Sequence, residues 1–294
     1  MVVATGFFDG VHLGHRFVIE QLVKAARDRG DESMVVTFWP HPRNVLQDDA
    51  RNLRLLNSLK EKEQLLRSIG VDRIEILPFT KEFSRLSTYG YLKDYVIDRF
   101  GGKAVLLGYD NRVGGDGLTT DQIGEVALGL GLEVIRTESV SAGGETVISS
   151  TKIREALAGG DVQAASGMLG YGYSLTGVVV AGNRLGRTIG FPTANIQLYE
   201  PLKLIPGNGV YSVGVETVGR QLRGMCNIGV RPTVGSGNQR TVEVNIFDFD
   251  EDIYGLDLKA TFIRKIRDER KFDSLSDLRE QLLKDRDECS FDRI

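Results

Sequence analysis

The chain has 294 residues, 41% of them hydrophobic and 26% charged, with a formal net charge of −3 at pH 7. That is a globular composition long enough for two domains; it holds no run near the roughly 20 apolar residues of a membrane span, no signal-peptide plan at its start and no basic footprint for nucleic acid. Three histidines and two cysteines argue against a zinc site or a disulfide framework, which leaves a cytoplasmic protein whose metal, if it uses one, is Mg²⁺ carried in with a phosphate substrate.

Val2-Val3-Ala4 predicts a strand, and the stretch that follows reads GFFDGVHLGHRF from Gly6 to Phe17. Residues 15–29 have helical spacing, with Val18, Leu22 and Ala25/Ala26 on one face and Gly30 as the stop. A second strand is expected over 34–38. Ser58-Leu59-Lys60-Glu61 is a capping box that opens a helix ending at Gly70. Strands are expected over 73–77, 103–107 and 132–136, with helices near 89–100 and 120–130. This alternation predicts a parallel sheet covered on both faces. Such sheets bind ligands at the C-terminal ends of their strands, where the glycine-rich stretch after the first strand lies.

The rhythm changes beyond Ile153-Arg154-Glu155-Ala156-Leu157 and the Gly159-Gly160 pair. Residues 176–181, 209–216, 223–228, 241–249 and 256–267 read as strands in series, and one amphipathic helix over 275–284 closes the chain. Strands without intervening helices predict an antiparallel barrel or sandwich. The expected division is a first domain over 1–158, a linker over 159–174 and a second domain over 175–294.

His12 and His15 stand at i and i+3 around the start of the first helix, so both can face one point. The helix presents unpaired N–H groups and its positive end at that point. A phosphate placed there meets N–H donors and two imidazoles, which suits attack on an α-phosphate. An isolated H-x-x-H is more often a turn with a hydrogen-bonded histidine; the strand, glycines and helix around this one favour the phosphate reading. Ser150, Thr151 and Arg154, in Ile148-Ser149-Ser150-Thr151-Lys152-Ile153-Arg154, bring hydroxyls and a guanidinium to another helix start. They could grip phosphates or form a plain serine cap.

His12-Leu13-Gly14-His15 after a strand is the H-x-G-H signature of the nucleotidyltransferase superfamily, and GFFDGVHLGH resembles the FMN adenylyltransferase half of prokaryotic bifunctional riboflavin kinase/FAD synthetases. ISSTKIR matches that family's closing motif. The resemblance implies a Rossmann-like α/β domain of the HxGH type. It makes His12 and His15 catalytic, and Gly6, Phe7, Asp9, Gly14, Ser150, Thr151 and Arg154 ATP-binding. Thr37-Phe38-Trp39-Pro40-His41-Pro42-Arg43 resembles the family's P-H-P turn and puts His41 near the flavin, although a structural turn would look the same. Asp110 falls in the family segment Gly108-Tyr109-Asp110-Asn111-Arg112-Val113-Gly114 as a flavin-side residue. That segment departs from the family in carrying Asn111 and Val113 where phenylalanine is usual.

In the second half, Gly182 to Asn195 holds three glycines, two arginines and then Pro192-Thr193-Ala194-Asn195. It is neither a Walker A motif nor G-x-G-x-x-G. Glycines beside a strand can admit phosphates, and Thr193 and Asn195 offer oxygens of the kind Mg²⁺ prefers. Composition alone favours a turn between strands. The stretch resembles the ATP- and Mg²⁺-binding signature of riboflavin kinases, and further motifs follow in the family's order: Gly209-Val210-Tyr211, Asn227 to Thr233, Asp252 to Gly255 and Arg267 to Phe272. This resemblance implies a mainly β barrel with a terminal helix. It makes Gly182, Gly186 and Thr188 ATP-binding, Thr193 and Asn195 Mg²⁺ ligands, and Arg267 and Arg270 flavin-side residues. In Thr241 to Phe247, period-2 alternation separates Val242, Val244 and Ile246 from Glu243 and Asn245. Glu243 matches the family's catalytic glutamate, a base for the ribityl hydroxyl; Asn245 stands where histidine is common.

The expectation is therefore a bifunctional FAD-biosynthesis enzyme with ATP, riboflavin and FMN as its small-molecule partners, FAD and FMN as products, and neither nucleic acid nor membrane bound. The rivals are a single-activity enzyme with one degenerate half and a non-catalytic flavin-binding regulator.

Overall fold

The first apolar run forms β1 (Val2–Thr5), the middle strand of a five-stranded parallel sheet in a computed structural model of the protein. The structure describes residues 1–46, 53–108, 112–137, 148–182, 185–233, 237–289 and 292, without the side chains of 185 and 231–239. The described chain divides into two units, Met1–Ser150 and Thr151–Ile294.

In the first unit the sheet order is β3-β2-β1-β4-β5, with β2 (Ser33–Trp39), β3 (Arg73–Pro78), β4 (Ala104–Leu107) and β5 (Glu133–Arg136). Its inner strands β2, β1 and β4 are mostly apolar because both faces are covered. Val2, Ala4, Val35, Ala104 and Leu106 pack on α1 (Leu13–Arg29) and α3 (Leu59–Ile69), through Ile19, Leu22, Val23, Ala26 and Leu66. Val3, Met34, Val36, Val105 and Leu107 pack on the other side, against Leu92, Val96, Ile123 and Ala127. The valines, leucines, isoleucines and methionine among these contribute about 1.5–3 kcal/mol each on burial. The capping box at Ser58 forms as expected, with Glu61 N bonded to Ser58 Oγ and Ser58 N to the Glu61 carboxylate. A short helix, α2 (Pro42–Leu46), follows β2. The helix expected near 89–100 begins as α4 (Thr88–Gly90) and continues over Tyr91–Arg99 with wider π-type winding. Thr119 caps α5 (Thr120–Gly129). The strand order reverses between β1 and β4, the crevice where open α/β sheets take their ligands.

The second unit is a closed barrel, β10-β7-β6-β11-β8-β9, of β6 (Ser174–Val180), β7 (Ala194–Leu198), β8 (Gly209–Thr217), β9 (Arg220–Thr233), β10 (Gly237–Ile246) and β11 (Asp257–Arg267). Closure pairs every strand on both sides and leaves no edge. β7 was hidden in the sequence because Pro192-Thr193-Ala194-Asn195 reads as a turn; the strand begins inside it. The terminal helix, α9 (Leu275–Cys289), runs five residues beyond its expected end because Asp285 and Cys289 continue its buried face through a charged run. α6 (Ser150–Gly159) spans the division between the units. The stretch 159–174, read as a linker, holds α7 (Val162–Leu169), capped by Asp161 and burying Val162, Ala165 and Leu169. Among the described residues, no helix is long and apolar enough to cross a membrane.

Candidate active sites

After β1 the backbone leaves the sheet through a strained turn. Phe8, Gly10 and Val11 have φ of 52°, 84° and 37°, a region that costs a residue with a side chain about 1–3 kcal/mol. Burial of Phe8 and Val11 in the α1 core holds them there. A Cβ on Gly6 would stand 2.7 Å from the Phe8 ring and force it to shift. The turn hands over to α1 with His12 as its N-cap, extended at φ −66° and ψ 171°.

His12 Nδ1 accepts from the His15 N–H at 3.3 Å. Accepting there fixes the neutral tautomer, with the proton on Nε2. The His15 ring stacks on His12 at 3.6 Å and 17°, and the Phe8 ring meets His15 edge-on at 5.4 Å. Burial lowers His12 to about 4. It also lowers His15 well below the usual imidazole range, helped by the charges of His12 and Lys62. At pH 7 both rings are therefore neutral. His15 Nδ1 is buried without a partner among the described residues. Gly14 gives the His12 ring its place, since a Cβ there would lie 3.3 Å from it.

The other signature residues hold the turn. Asp9 is buried and accepts the Leu56 N–H at 3.1 Å. Ser150 Oγ donates to the Asp9 carbonyl at 2.9 Å, which brings the first residue of α6 to the turn. The Phe7 ring lies 4.0 Å from the His41 ring, and His41 Nδ1 accepts the Arg43 N–H at 3.0 Å. The structure thus gathers Gly6, Phe7, Asp9, His12, Gly14, His15, His41 and Ser150. Thr151 is exposed and Arg154 half-buried along α6; Asp110, with Asn111, lies outside the described residues. Val113 is buried in the core beside Tyr91 and Ile123.

Sequence reasoning missed Lys62. It is 1% exposed, its ammonium donates to the Phe7 carbonyl at 2.7 Å, and burial lowers it to about 8. The available signal was its position in α3, in step with the apolar Leu59, Leu66 and Ile69.

In the second unit the candidate residues converge through strand register. β10 lies between β9 and β7, pairing Glu243 with Asn227 on one side and Asn195 on the other. Paired residues share a face, so Glu243 and Asn195 stand side by side. Gly182 makes room for that arrangement, since a Cβ on it would be 2.1 Å from the Asn195 amide nitrogen. Asn245, buried, donates from Nδ2 to the Pro192 carbonyl at 2.6 Å and ties the Pro192–Asn195 stretch to the glutamate strand. Gly186 packs on the Phe191 carbonyl, which a Cβ would approach to 2.1 Å. Thr188, exposed, ends the short helix α8 (Leu185–Thr188). Beside them a cavity of about 400 Å³ is lined by Phe191, Pro192, Asn245, Phe247, Asp248 and Arg286, among others.

Asn195 is a neutral oxygen donor beside the Glu243 carboxylate, with Thr193 two residues before it, and the described residues contain no cluster of three or more histidine, cysteine or acidic side chains able to hold a metal. Such a sparse oxygen set fits Mg²⁺, which takes a few protein ligands and completes its shell with water and phosphate. Arg267 and Arg270 are engaged within the fold. Arg267 clamps the buried Asp285 of α9 with three contacts of 2.8–3.0 Å, and Arg270 bonds Gln281 and lies over the Phe272 ring.

Residues 1–152 match the FAD synthetase family and residues 169–290 the riboflavin kinase family. The chain is 37% identical to the bifunctional riboflavin kinase/FMN adenylyltransferase of Bacillus subtilis (strain 168), over 98% of this chain and 91% of that protein. It is 38% identical to the protein of the same description from Listeria monocytogenes, over 97% and 90%. A crystal structure described as a macrolide-efflux protein from Streptococcus pneumoniae superposes with a TM-score of 0.92 at 34% identity, covering 99% of this chain and 94% of that one.

Proposed function

The chain belongs to the bifunctional riboflavin kinase/FMN adenylyltransferase family, and on that premise we propose which side chains carry its two reactions. It phosphorylates riboflavin with ATP to give FMN, then transfers AMP from a second ATP to FMN, giving FAD and pyrophosphate. Adenylyl transfer is assigned to residues 1–158 and the kinase to 175–294, with 159–174 between them.

In adenylyl transfer a phosphate oxygen of FMN attacks the α-phosphorus of ATP. The new P–O bond forms as the bond to the bridging oxygen of pyrophosphate breaks, with no covalent enzyme intermediate. Charge grows on the α-phosphoryl oxygens, and donors fixed beforehand stabilise it without reorganising. His12 Nε2–H is such a donor, because Nδ1 is already engaged by the His15 N–H. The free N–H groups at the start of α1 add the positive end of its dipole. His15, stacked on His12, completes the pair. Ser150, Thr151 and Arg154 grip the β- and γ-phosphates, and His41 with Asp110 attends the flavin.

In the kinase reaction the ribityl 5′-hydroxyl attacks the γ-phosphorus, and Glu243 accepts its proton. Asn195, beside Glu243 in register, and Thr193 hold Mg²⁺, which when bound neutralises the charge on the phosphate oxygens. Gly182, Gly186 and Thr188 cradle the nucleotide. Arg267 and Arg270 act on the flavin side by holding α9 in place through Asp285 and Gln281. The enzyme works in the cytoplasm, where ATP is made, with small molecules and not nucleic acid or membrane as partners.

One observation carries the assignment: a neutral histidine, its tautomer fixed, caps α1 at the reversal of strand order. The test is to incubate the full chain with riboflavin, ATP and Mg²⁺ and separate the flavins by chromatography. FMN should appear first and FAD later. FMN that never becomes FAD would sink the adenylyl-transfer assignment, and unchanged riboflavin the kinase assignment.

A further inference from the structure

Lys62 occupies a position that packing alone would give to an apolar residue. It falls in step with Leu59, Leu66 and Ile69 on α3, and only 1% of it is exposed. A buried ammonium is costly unless its donors are satisfied and its charge compensated. Here Nζ donates to the Phe7 carbonyl at 2.7 Å, approaches Thr37 Oγ1 at 3.5 Å and lies 3.5 Å from the centre of the Phe7 ring. Asp9 supplies a compensating negative charge from the turn.

The carbonyl it holds is significant. Gly6 N–H still bonds to the Val36 carbonyl of β2, so the chain leaves the sheet immediately afterwards, at Phe7. The Phe7 carbonyl accepts from two side chains, Lys62 and Thr37, the latter at 3.1 Å. Together they fix the plane of the peptide that joins Phe7 to Phe8, and Phe8 is the first residue of the positive-φ turn. Rotation of that plane would change the exit direction of the turn and the place of His12, four residues on.

We propose that Lys62 is a positioning residue for adenylyl transfer: by its hydrogen bond to the Phe7 carbonyl it locks the Phe7–Phe8 peptide so that the turn delivers His12 to the α-phosphate. The inference rests on the adenylyl-transfer reading of that turn. A positioning role predicts a loss in turnover and not in ground-state binding, because His12 acts on charge that develops in the transition state.

The full chain is compared with Lys62→Met, which keeps the volume but has no donor, and Lys62→Gln, which keeps a donor without the charge. In Lys62→Met, kcat for FAD formation from FMN and ATP should fall about 10- to 100-fold, as a small misplacement of a catalytic group does. KM for ATP should stay within about threefold. Riboflavin kinase activity of the same molecules should be unchanged, and Lys62→Gln should recover most of the lost kcat. The inference is overturned if Lys62→Met retains at least half of the wild-type kcat, if its loss lies in KM alone, or if Lys62→Gln is as impaired as Lys62→Met. Should Lys62→Met fail to fold, Lys62→Gln decides alone: near-wild-type kcat supports the hydrogen bond, and a tenfold loss overturns it. Absence of FAD from wild-type protein would overturn the reading beneath it as well; FAD from wild type with an unaffected Lys62→Met overturns this inference alone.

Discussion

On the proposed assignment, the two units present phosphate chemistry in opposite ways. In the first, the reacting groups come from one stretch of ten residues, bent by positive φ at Phe8, Gly10 and Val11 and held from beneath by Phe7, Asp9 and Lys62. In the second, Glu243, Asn195 and Gly182 are far apart in sequence and meet only because β10 pairs with β7 in one register. A site on a turn is protected by local strain and burial. A site built by register depends on the whole barrel, since a one-residue slip would turn Glu243 to the other face. The comparison predicts that damage to either site stays within its own unit.

The sharpest break in that comparison is Glu243→Gln. Removing the base should lower riboflavin phosphorylation about 10²- to 10⁴-fold, while FAD formation from supplied FMN continues; both rates are read from chromatographed flavins. His12→Ala should do the reverse, cutting FAD formation about 10²- to 10³-fold, the usual cost of one preorganised donor, as FMN accumulates. A loss of both activities in either folded variant would show that the units are coupled. Gly182→Ala is gentler. Its Cβ would press on the Asn195 amide, the mobile end of a side chain, so kinase activity should fall about tenfold with a raised Mg²⁺ requirement, as expected of a displaced oxygen ligand.

The smallest effect sharpens the electrostatics of the turn. His12 sits near 4 in the fold because burial penalises its charge, against 6.5 in an unfolded chain. As pH falls below 6.5 the unfolded state takes the proton first, so the His12 contribution to the stability of the first unit should be full above pH 6.5 and be lost between pH 6.5 and 4. With three histidines in the chain, imidazole nitrogen shifts measured by NMR can follow this directly. The His12 signal should stay neutral from pH 8 to 5, and a midpoint near 6.5 would contradict the buried, neutral donor.

Much of this was readable in the sequence, for reasons that differ between the units. The parallel sheet announces itself because strands covered on both faces are continuously apolar, and the Ser58–Glu61 box, the glycine stops and His12-Leu13-Gly14-His15 are local signals. Lys62 was not legible as a site residue because a single lysine on a helix normally reaches solvent; only its phase with Leu66 marks it. β7 was hidden because turn-forming residues open it, and α7 because Asp161 and a short apolar face fell within an apparent linker. Arg267 and Arg270 were read as flavin-side by resemblance. Their clamps to Asp285 and Gln281 depend on α9 folding back, which no local pattern reveals.

The central claim is that two independent sites act in series on one flavin, and mixing two disabled proteins tests it most directly. Full-length His12→Ala and Glu243→Gln, each unable to convert riboflavin to FAD alone, are combined with riboflavin, ATP and Mg²⁺. FMN released by the first should be adenylylated by the second, so FAD should appear in the mixture after a lag. A mixture that accumulates FMN but yields no FAD, while Glu243→Gln still adenylylates supplied FMN, would contradict sequential action through free FMN; no FMN from His12→Ala at all would contradict independent sites.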